Sequence, residues 1–416
     1  MQILERILLF VLLVLVTGTG QGVFADPNVT TTSSGWLGIQ AVLAVIYLSF
    51  FLIILRKFRK TALFLVLKER WTLVLCLWVA ASTLWSVGPI ESLRHSLALV
   101  GTSLAGLYIG MRFEPKQQLK MLALVIGLGA IASLAAGLLV PGVGITPDGA
   151  WQGVYYPKNS LGRIMSLGAL CFALLALGQR RNRVVRGGMF FLCCALLLLS
   201  RSATAVVVCV LMFGLIPFRR ILYLRTRPLI GAMIAGGVVA TAIVLWTVDH
   251  LDQILDSLGR TATLTGRIPL WGIVIKEIAE RPLQGYGFSA FFTSWEGERV
   301  SDSVAWDVAV PNAHNGFLEV WLGIGLIGLA LLAIGMGRSF LFALRRARAH
   351  GEFDQSWPLI LLVFIVMYNL TETSLLIGNS ILWMAYVANS FWLVRTVEEE
   401  KHAVELIEEP EHAYST

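Results

Sequence analysis

Charged residues are scarce in this sequence. Only 14% of its 416 residues are Asp, Glu, Lys or Arg, while 56% are hydrophobic and the mean hydropathy is +0.74. A soluble domain averages about 25% charged residues, so the deficit excludes a water-soluble fold. Apolar stretches of roughly 17–25 residues recur along the whole chain, which is the length that a helix needs to cross a bilayer. Backbone groups in lipid must pair within their own segment, and we therefore expect an all-α fold, a polytopic membrane helix bundle.

Cysteine and the common cofactor motifs are scarce as well. The five cysteines lie within apolar runs, without the spacing of a metal site: Cys76, Cys171, Cys193, Cys194 and Cys209. We interpret them as small core residues. The sequence contains no HExxH, HxxxH, CxxC or GxxxxGK[ST] motif, and no DxD in its predicted outer loops. It therefore offers no basis for a metal ion or a nucleotide cofactor.

Clusters of basic residues separate alternate pairs of about 12 predicted transmembrane helices. The helices are placed at 3–19, 37–55, 71–87, 93–111, 119–140, 159–178, 187–200, 203–217, 229–247, 314–338, 357–375 and 378–395. The clusters lie at 56–60, 180–186, 218–227 and 345–350. Because loops rich in Lys and Arg stay in the cytoplasm, both termini and these clusters are predicted to be cytoplasmic. The net charge of +7 is then a topology signal, and nucleic-acid binding is excluded.

The two ends of the chain carry separate predictions. The first apolar run is short, and "VFA" at 23–25 resembles a signal-peptidase site, so this segment is either a retained helix or a cleaved signal. We favour the retained helix. Residues 1–396 are predicted to form a single transmembrane domain, and the acidic residues 397–416 a cytoplasmic tail.

A long polar loop, about 248–313, is predicted to lie on the outer face of the membrane. Within its segment 265–287, apolar residues recur at helical spacing: Ile268, Trp271, Ile275 and Ile278. Pro282 and Gly285 would end this helix. We expect an amphipathic helix that lies on the outer membrane face.

Some basic residues contradict the positive-inside pattern, because they fall at the predicted outer face. They are Arg94, Lys158, Arg163, Arg201, Arg260, Arg267, Lys276, Arg281 and Arg299. Arg201 stands between two short apolar helices, Arg163 about one turn inside its helix, and Arg267 at the start of the amphipathic helix. A charge at lipid depth is costly and usually has a partner or a function, so we expect these cations to converge in one outward-facing pocket. The alternative is that they reach phospholipid headgroups.

His314 and Asn315 stand directly before another long apolar run, and His314 is the histidine that we place at the outer face. An imidazole can accept a proton from a sugar hydroxyl at neutral pH. Arginine binds phosphate through a planar fork of donors, so a pocket that combines both groups suits a lipid-linked pyrophosphate. In the alternative, His314 caps its helix and Asn315 fixes the helix start. Glu91 and Glu372 are interpreted as structural partners of outer arginines, and the role of Glu319 is left open.

Several segments together resemble the O-antigen ligase and polymerase (Wzy-type) superfamily. They are "WSVGPIESLRHS" (85–96), "YPKNSLGR" (156–163), "SRSATA" (200–205), "TLTGRIPLWG" (263–272), "RPLQGYGFSAFF" (281–292) and "AHNGFLEVWLGIGLIG" (313–328). The resemblance covers roughly residues 70–395. The "KN-LGR" element and the modest length are most like exopolysaccharide-production polymerases of this type.

The resemblance implies a metal-independent glycosyltransferase of the bacterial inner membrane that uses a donor linked to undecaprenyl pyrophosphate and acts on the periplasmic face. It implies that Arg201 and Arg267 bind the pyrophosphate and that His314 activates or positions the acceptor hydroxyl. By the same resemblance, further substrate-binding residues are expected at Lys158, Arg163, Asn315 and Tyr286. Direct attack would invert the anomeric centre. Many ligases have a longer outer loop, richer in aromatic and basic residues, so polymerisation of repeat units is expected before ligation.

Two rival functions stay open. One is a ligase reaction, in which finished polymer is attached to a different acceptor. The other is a non-catalytic glycolipid transporter or flippase, for which ionisable groups and broken helices near the midplane would be typical. The expected partners are an undecaprenyl-pyrophosphate-linked oligosaccharide, membrane lipid, a flippase and a chain-length regulator, with no nucleic acid.

Overall fold

The protein folds into helices throughout the part of the chain that the structure describes. The structure, a computed structural model, describes residues 3–19, 34–178, 182–215, 267–303, 310–349 and 355–408, together with positions 228, 231 and 235. Within these ranges the extended pairing is limited to an isolated bridge between Ile145 and Trp151. The predicted all-α class is therefore confirmed. The possible cleavage site at 23–25, the predicted helix over 229–247 and Arg260 lie outside the described residues, apart from positions 231 and 235.

The helices of the first half are α1 (Ile3–Val16), α2 (Ser34–Ile53), α3 (Arg59–Lys68), α4 (Arg70–Ala81), α5 (Pro89–Arg112), α6 (Pro115–Leu139), α7 (Pro141–Gly144), α8 (Lys158–Gly178), α9 (Arg183–Leu199) and α10 (Ala203–Leu215). The later helices are α11 (Arg267–Glu280), α12 (Trp295–Ser303), α13 (Gly316–Ala349), α14 (Trp357–Asn369) and α15 (Ile381–Glu408). A π-helical turn at Ile54–Phe58 joins α2 to α3.

Four helical segments in the described part are long and apolar enough to cross a membrane: Gly38–Lys68, Pro115–Leu139, Lys158–Gly178 and Gly316–Ala349. Shorter apolar helices occur at Arg70–Trp85, Ala203–Leu215 and Trp357–Asn369. The protein is thus a membrane protein, but the predicted number of about 12 spans is not confirmed. Helix α5 is long enough to cross a membrane, but its mean hydropathy is too low for a membrane span. Its first turns also carry the charged residues Glu91 and Arg94.

The core is centred on α8 and α15. Residues of α8 are buried along most of its length, and Trp383 and Trp392 of α15 are 2% and 0% exposed. Helices α5 and α15 pack closely because α5 presents glycines to its neighbour: a Cβ added at Gly106 would lie 2.8 Å from Val387 Cβ. Nearer the start of α5, the segment that joins α14 to α15 contacts it, where Asn379 N donates to Thr102 Oγ1 at 2.9 Å.

Helix α13 is broken near its start. Gly325 has φ 72° and ψ −178°, and a Cβ added there would lie 2.0 Å from the carbonyl oxygen of Leu283. The backbone of the loop after α11 runs into this break, where Leu326 N donates to Pro282 O at 2.8 Å. On the other side of the break, Tyr286 N donates to Leu322 O at 2.9 Å. These bonds satisfy backbone groups that the break frees, and they fix α11 against α13.

The helix predicted within 265–287 is confirmed as α11, and its position on the outer membrane face stays a prediction. Leu270, Val274 and Ile278 are 0–4% exposed, whereas Ile275 is 55% exposed. Leu270, Val274 and Ile278 therefore form the face that packs within the protein, and Ile275 of the predicted apolar stripe lies outside that face. Helix α11 packs against α13, so a protein contact decides this buried face.

The C-terminal helix passes through the predicted boundary between residues 396 and 397. Helix α15 continues to Glu408. Glu398 pairs with Lys68 at 2.8 Å, and Glu400 pairs with Arg346. The first residues of the predicted tail are therefore helical and tied to basic residues of the bundle, because opposite charges meet at this end of it.

Candidate active site

The carboxylate of Glu372 joins two of the predicted catalytic residues. Arg267 Nη2 donates to Glu372 Oε1 at 2.6 Å, and His314 Nδ1 lies 3.4 Å from Glu372 Oε2. The side chains of Arg267 and Glu372 are 9% and 10% exposed, so the pair is largely removed from water. The predicted pairing of Glu372 with an arginine is thus present, and the structure adds that His314 shares the same carboxylate.

The charge state of Glu372 follows from these neighbours. Burial by itself would raise its pKa, but the hydrogen bond from His314 and the positive charge of Arg267 outweigh burial, and the pKa lies below its usual value. Glu372 is beyond the end of α14, in the segment that leads to α15. It is therefore an ionised carboxylate that can orient an imidazole and hold a guanidinium.

His314 is held by local hydrogen bonds immediately before α13. Its backbone is in the left-handed region, with φ 47°, and its N–H donates to Asn312 Oδ1 at 2.9 Å. On one side of it, Ala313 N donates to Glu319 Oε2 at 2.7 Å. Trp271 Nε1 of α11 donates to Ala313 O at 3.0 Å. The turn that carries the ring is thus tied both to its own helix and to α11.

Asn315 and Gly316 complete this turn. Asn315 Oδ1 accepts from the backbone N–H groups of Phe317 and Leu318 at 3.0 and 3.1 Å, which is the bonding of an N-cap. Its Nδ2 donates to Leu370 O at 3.0 Å. Asn315 therefore fixes the start of α13, which is the structural alternative stated for it from the sequence. A Cβ at Gly316 would lie 2.1 Å from Asn369 Oδ1, so glycine is what lets α13 start this close to the end of α14.

The first turns of α8 border the same cluster. Asn159 Nδ2 lies 3.4 Å from Glu372 Oε1, within hydrogen-bond reach. The Arg163 guanidinium lies over the Tyr368 ring, 6.0 Å from its centroid. Its Nε is buried and has no hydrogen-bond partner among the described residues. A buried guanidinium nitrogen without a partner is costly, so this donor indicates a place for an anionic or polar ligand.

Arg201 and Lys158 lie apart from this cluster, around Asp148. Arg201 Nη1 donates to the Asp148 backbone carbonyl at 2.8 Å, and Lys158 Nζ pairs with the Asp148 carboxylate at 2.6 Å. The hydrogen bond from Lys158, with a second from Thr146, lowers the pKa of Asp148 to about 2. The turn that carries Arg201 nevertheless approaches α11, because Thr204 Oγ1 accepts from Arg267 Nη1 at 3.3 Å.

Tyr286, another predicted substrate-binding residue, is buried among residues of α11 and the loop that follows it. Its side chain is 2% exposed, and its hydroxyl bonds the Glu277 carbonyl at 3.1 Å and the Glu280 carboxylate at 3.3 Å. Its ring packs on Phe291 with centroids 4.9 Å apart. These contacts stabilise the loop after α11, and Tyr286 does not line the cavity described next.

A cavity of about 1050 Å³ opens beside the cluster. Arg163, Asn312, Glu319 and Thr373 line one part of it, and apolar side chains of α1 and α2 line another. His95 of α5, for which no role is predicted from the sequence, also lines it. The signal that identifies His95 is its helical spacing from Glu91, which puts both side chains on one side of α5.

Comparisons with known proteins identify the family of this chain. A family model described as O-Antigen ligase matches residues 187–333, which include Arg201, Arg267 and His314. The exopolysaccharide production protein ExoQ of Rhizobium meliloti (strain 1021) is 32% identical over 304 residues, which cover 70% of this chain and 68% of that protein. The chain belongs to the O-antigen ligase and polymerase superfamily.

Proposed function

We propose that the protein is a polysaccharide polymerase that acts on the periplasmic face of a bacterial inner membrane. It transfers glycan from undecaprenyl pyrophosphate to the acceptor sugar of another lipid-linked repeat unit. The observation that carries the proposal is the meeting of Arg267 and His314 at Glu372, at 2.6 and 3.4 Å, beside a cavity of about 1050 Å³. A cation and a potential base are what this transfer needs, and family membership supports the same reaction class.

In the proposed reaction, His314 is the base. With Nδ1–H directed at Glu372, the neutral ring has its acceptor lone pair on Nε2. As the acceptor hydroxyl oxygen bonds to the anomeric carbon, its proton passes to Nε2. The bond from that carbon to the pyrophosphate oxygen breaks, and undecaprenyl pyrophosphate leaves with the electron pair. Attack from the face opposite the leaving group inverts the anomeric centre.

Arginines neutralise the leaving pyrophosphate in this proposal. Arg267 lies in the cluster, and Arg163 contributes the buried Nε that has no hydrogen-bond partner among the described residues. Each guanidinium keeps its charge and can bind two phosphate oxygens, so the reaction as written requires no metal ion. Arg201 and Lys158 serve as further ligands once they leave Asp148, and the exposed position of Arg201 permits that rotation.

The ligase reaction is the second candidate, and the matched O-Antigen ligase model favours it. Both reactions use the same donor and the same departing group, so the cluster around Glu372 serves either. They differ in the acceptor, which is a second lipid-linked repeat unit for a polymerase. A flippase for these units and a chain-length regulator are the proposed protein partners.

The test is mass spectrometry of undecaprenyl-linked glycans from a strain that lacks the protein, beside a strain with His314→Ala at wild-type abundance. Single repeat units on the periplasmic side, without polymer, are expected in both strains. Long lipid-linked chains would overturn polymerisation in favour of ligation. Repeat units held on the cytoplasmic side would indicate a flippase. Normal polymer in the His314→Ala strain would refute the assigned base.

A further inference from the structure

The first turns of α5 carry a second polar cluster, separate from the one around Glu372. Arg94 Nη2 pairs with Glu91 Oε2 at 2.6 Å, and His95 Nε2 lies 3.7 Å from the same oxygen. The three residues stand at i, i+3 and i+4, so they share one side of the helix. Their side chains are 36–45% exposed, and all three line the cavity. The transfer mechanism above uses none of them.

This cluster has a fixed position relative to α13. Val87 N donates to Tyr286 O at 2.9 Å, and Ser92 Oγ donates to Phe288 O at 2.9 Å. The loop that receives these bonds is the one whose backbone fills the break in α13. The start of α5 and the start of α13 are therefore joined through one loop, and the two walls of the cavity are held together.

The cavity has the character of a site for an amphipathic ligand. Arg163 and Glu319 lie in its polar part together with the α5 cluster. Leu15, Ile39 and Leu43 provide an apolar part from α1 and α2. A ligand that combines hydroxyl groups with a hydrocarbon chain would match both parts, as a lipid-linked saccharide does.

The charges in the polar part discriminate between the two substrates. A leaving pyrophosphate needs cations and is repelled by carboxylates. Arg163 of α8 also lines the cavity and is the proposed pyrophosphate ligand, whereas on the α5 side Arg94 is already paired with Glu91. The α5 side of the cavity is therefore a poor place for the pyrophosphate of the donor. Sugar hydroxyls both donate and accept hydrogen bonds, and they can bond a carboxylate, an imidazole and a guanidinium at once. Phe292, which also lines the cavity, offers an apolar ring to a sugar face.

We propose that Glu91, Arg94 and His95 form the subsite that binds the acceptor saccharide. The inference rests on the proposed transfer reaction, and it adds the position at which the acceptor saccharide, the second substrate, binds. The acceptor sugar would bind between α5 and the His314 turn, with Asn312 and Glu319 on the far side. These α5 residues are positioning residues, because they hold the acceptor and do not take its proton.

The experiment uses purified full-length protein in liposomes and lipid-linked repeat units extracted from a strain that lacks the protein. Polymer formation is measured against repeat-unit concentration for Glu91→Gln and His95→Gln. In parallel, binding of undecaprenyl pyrophosphate without a glycan is measured by native mass spectrometry. Loss of one hydrogen bond to a charged group is expected to raise the half-saturating concentration roughly tenfold to a hundredfold. Affinity for undecaprenyl pyrophosphate is expected to change by no more than about twofold, which is less than the loss of one hydrogen bond would cause.

Leu93→Ala is the matched control, because Leu93 is on the same turn of α5, is 50% exposed and does not line the cavity. Arg94→Lys keeps the charge without the planar fork and supplies a third variant if either of the others fails to fold. Unchanged half-saturation in the variants would overturn the subsite. An equal loss of undecaprenyl pyrophosphate affinity would overturn it too, because the cluster would then serve the donor or the fold. If the wild-type protein forms no polymer from repeat units, the proposed function fails instead.

Discussion

The substitution Glu372→Gln tests the geometry of the candidate site most directly. It retains the size of the side chain and removes its charge. The variant loses the ionic character of the 2.6 Å contact with Arg267 and of the 3.4 Å contact with His314. A carboxamide can also present its NH₂ group to Nδ1, which would favour the wrong imidazole tautomer.

The magnitude follows from these contacts. A hydrogen bond to a charged group contributes about 1.5–3 kcal/mol, which corresponds to roughly 10- to 100-fold in rate if it acts only in the transition state. Loss of the correct tautomer in an imidazole–carboxylate pair of a serine protease costs about 10⁴-fold, which sets an upper limit. We expect the rate of polymer formation to fall by roughly 10²- to 10⁴-fold at equal protein abundance.

The assay is polymer formation in liposomes, with Glu114→Gln as the matched control. Glu114 pairs with Arg395 at the N-terminal end of α6, so that variant also removes one carboxylate from an ion pair. In a His314→Ala background, Glu372→Gln is expected to cost much less than it does alone, because the ring that it orients is absent. A Glu372→Gln variant with a wild-type rate, or fully additive losses, would refute the assigned role.

Three further predictions follow from individual residues. Gly325→Ala is expected to destabilise the protein by at least about 1–3 kcal/mol, measured as a lower Tm in detergent. Gly337→Ala is the control and is expected to be neutral, because a Cβ added there meets nothing within 4 Å. Equal Tm values for the two variants would contradict the strain assigned to Gly325. Arg163→Lys is expected to weaken undecaprenyl pyrophosphate binding roughly tenfold in native mass spectrometry, with Arg112→Lys as the control, and equal affinities would remove Arg163 from the site. Because the pKa of Asp148 is lowered to about 2, the stabilisation that its carboxylate gives is present above the ordinary carboxyl pKa and is lost as the pH falls towards 2. A ¹³C NMR titration of labelled Asp148 is expected to show this low midpoint and a return towards the ordinary value in Lys158→Ala; a midpoint that ignores Lys158 would contradict the cause.

Local sequence patterns predict some features of the active site. The capping role of Asn315 was a stated alternative, since an Asn before an apolar run is a frequent helix start. Glu372 is predicted from the sequence to be a structural partner of an outer arginine, but a sequence does not say which cation approaches a given carboxylate. His95 lies in the segment 85–96 that carries the family resemblance, and its i, i+4 spacing from Glu91 is the local pattern that puts the two side chains together.

The predicted convergence of cations shows the limit of such patterns. Arg267 and Glu372 are 105 positions apart, yet their side chains form a buried pair. Arg201 was grouped with Arg267 because both belong to the predicted outer end, whereas the structure directs its guanidinium to the carbonyl of Asp148. Sequence position predicts which end of a bundle a residue occupies, and it does not predict which of several neighbours a long side chain contacts.

The sequence by itself determined the membrane class, the all-α fold, the helix after residue 265 and the family, because hydropathy, helical period and short motifs are local properties of the chain. Only the tertiary structure decided which face α11 buries, where α13 breaks at Gly325 and which residues meet at Glu372. These features depend on the depths at which separate helices end and on backbone groups that need partners from a distant loop. Such contacts join residues far apart in the chain, so no local pattern records them.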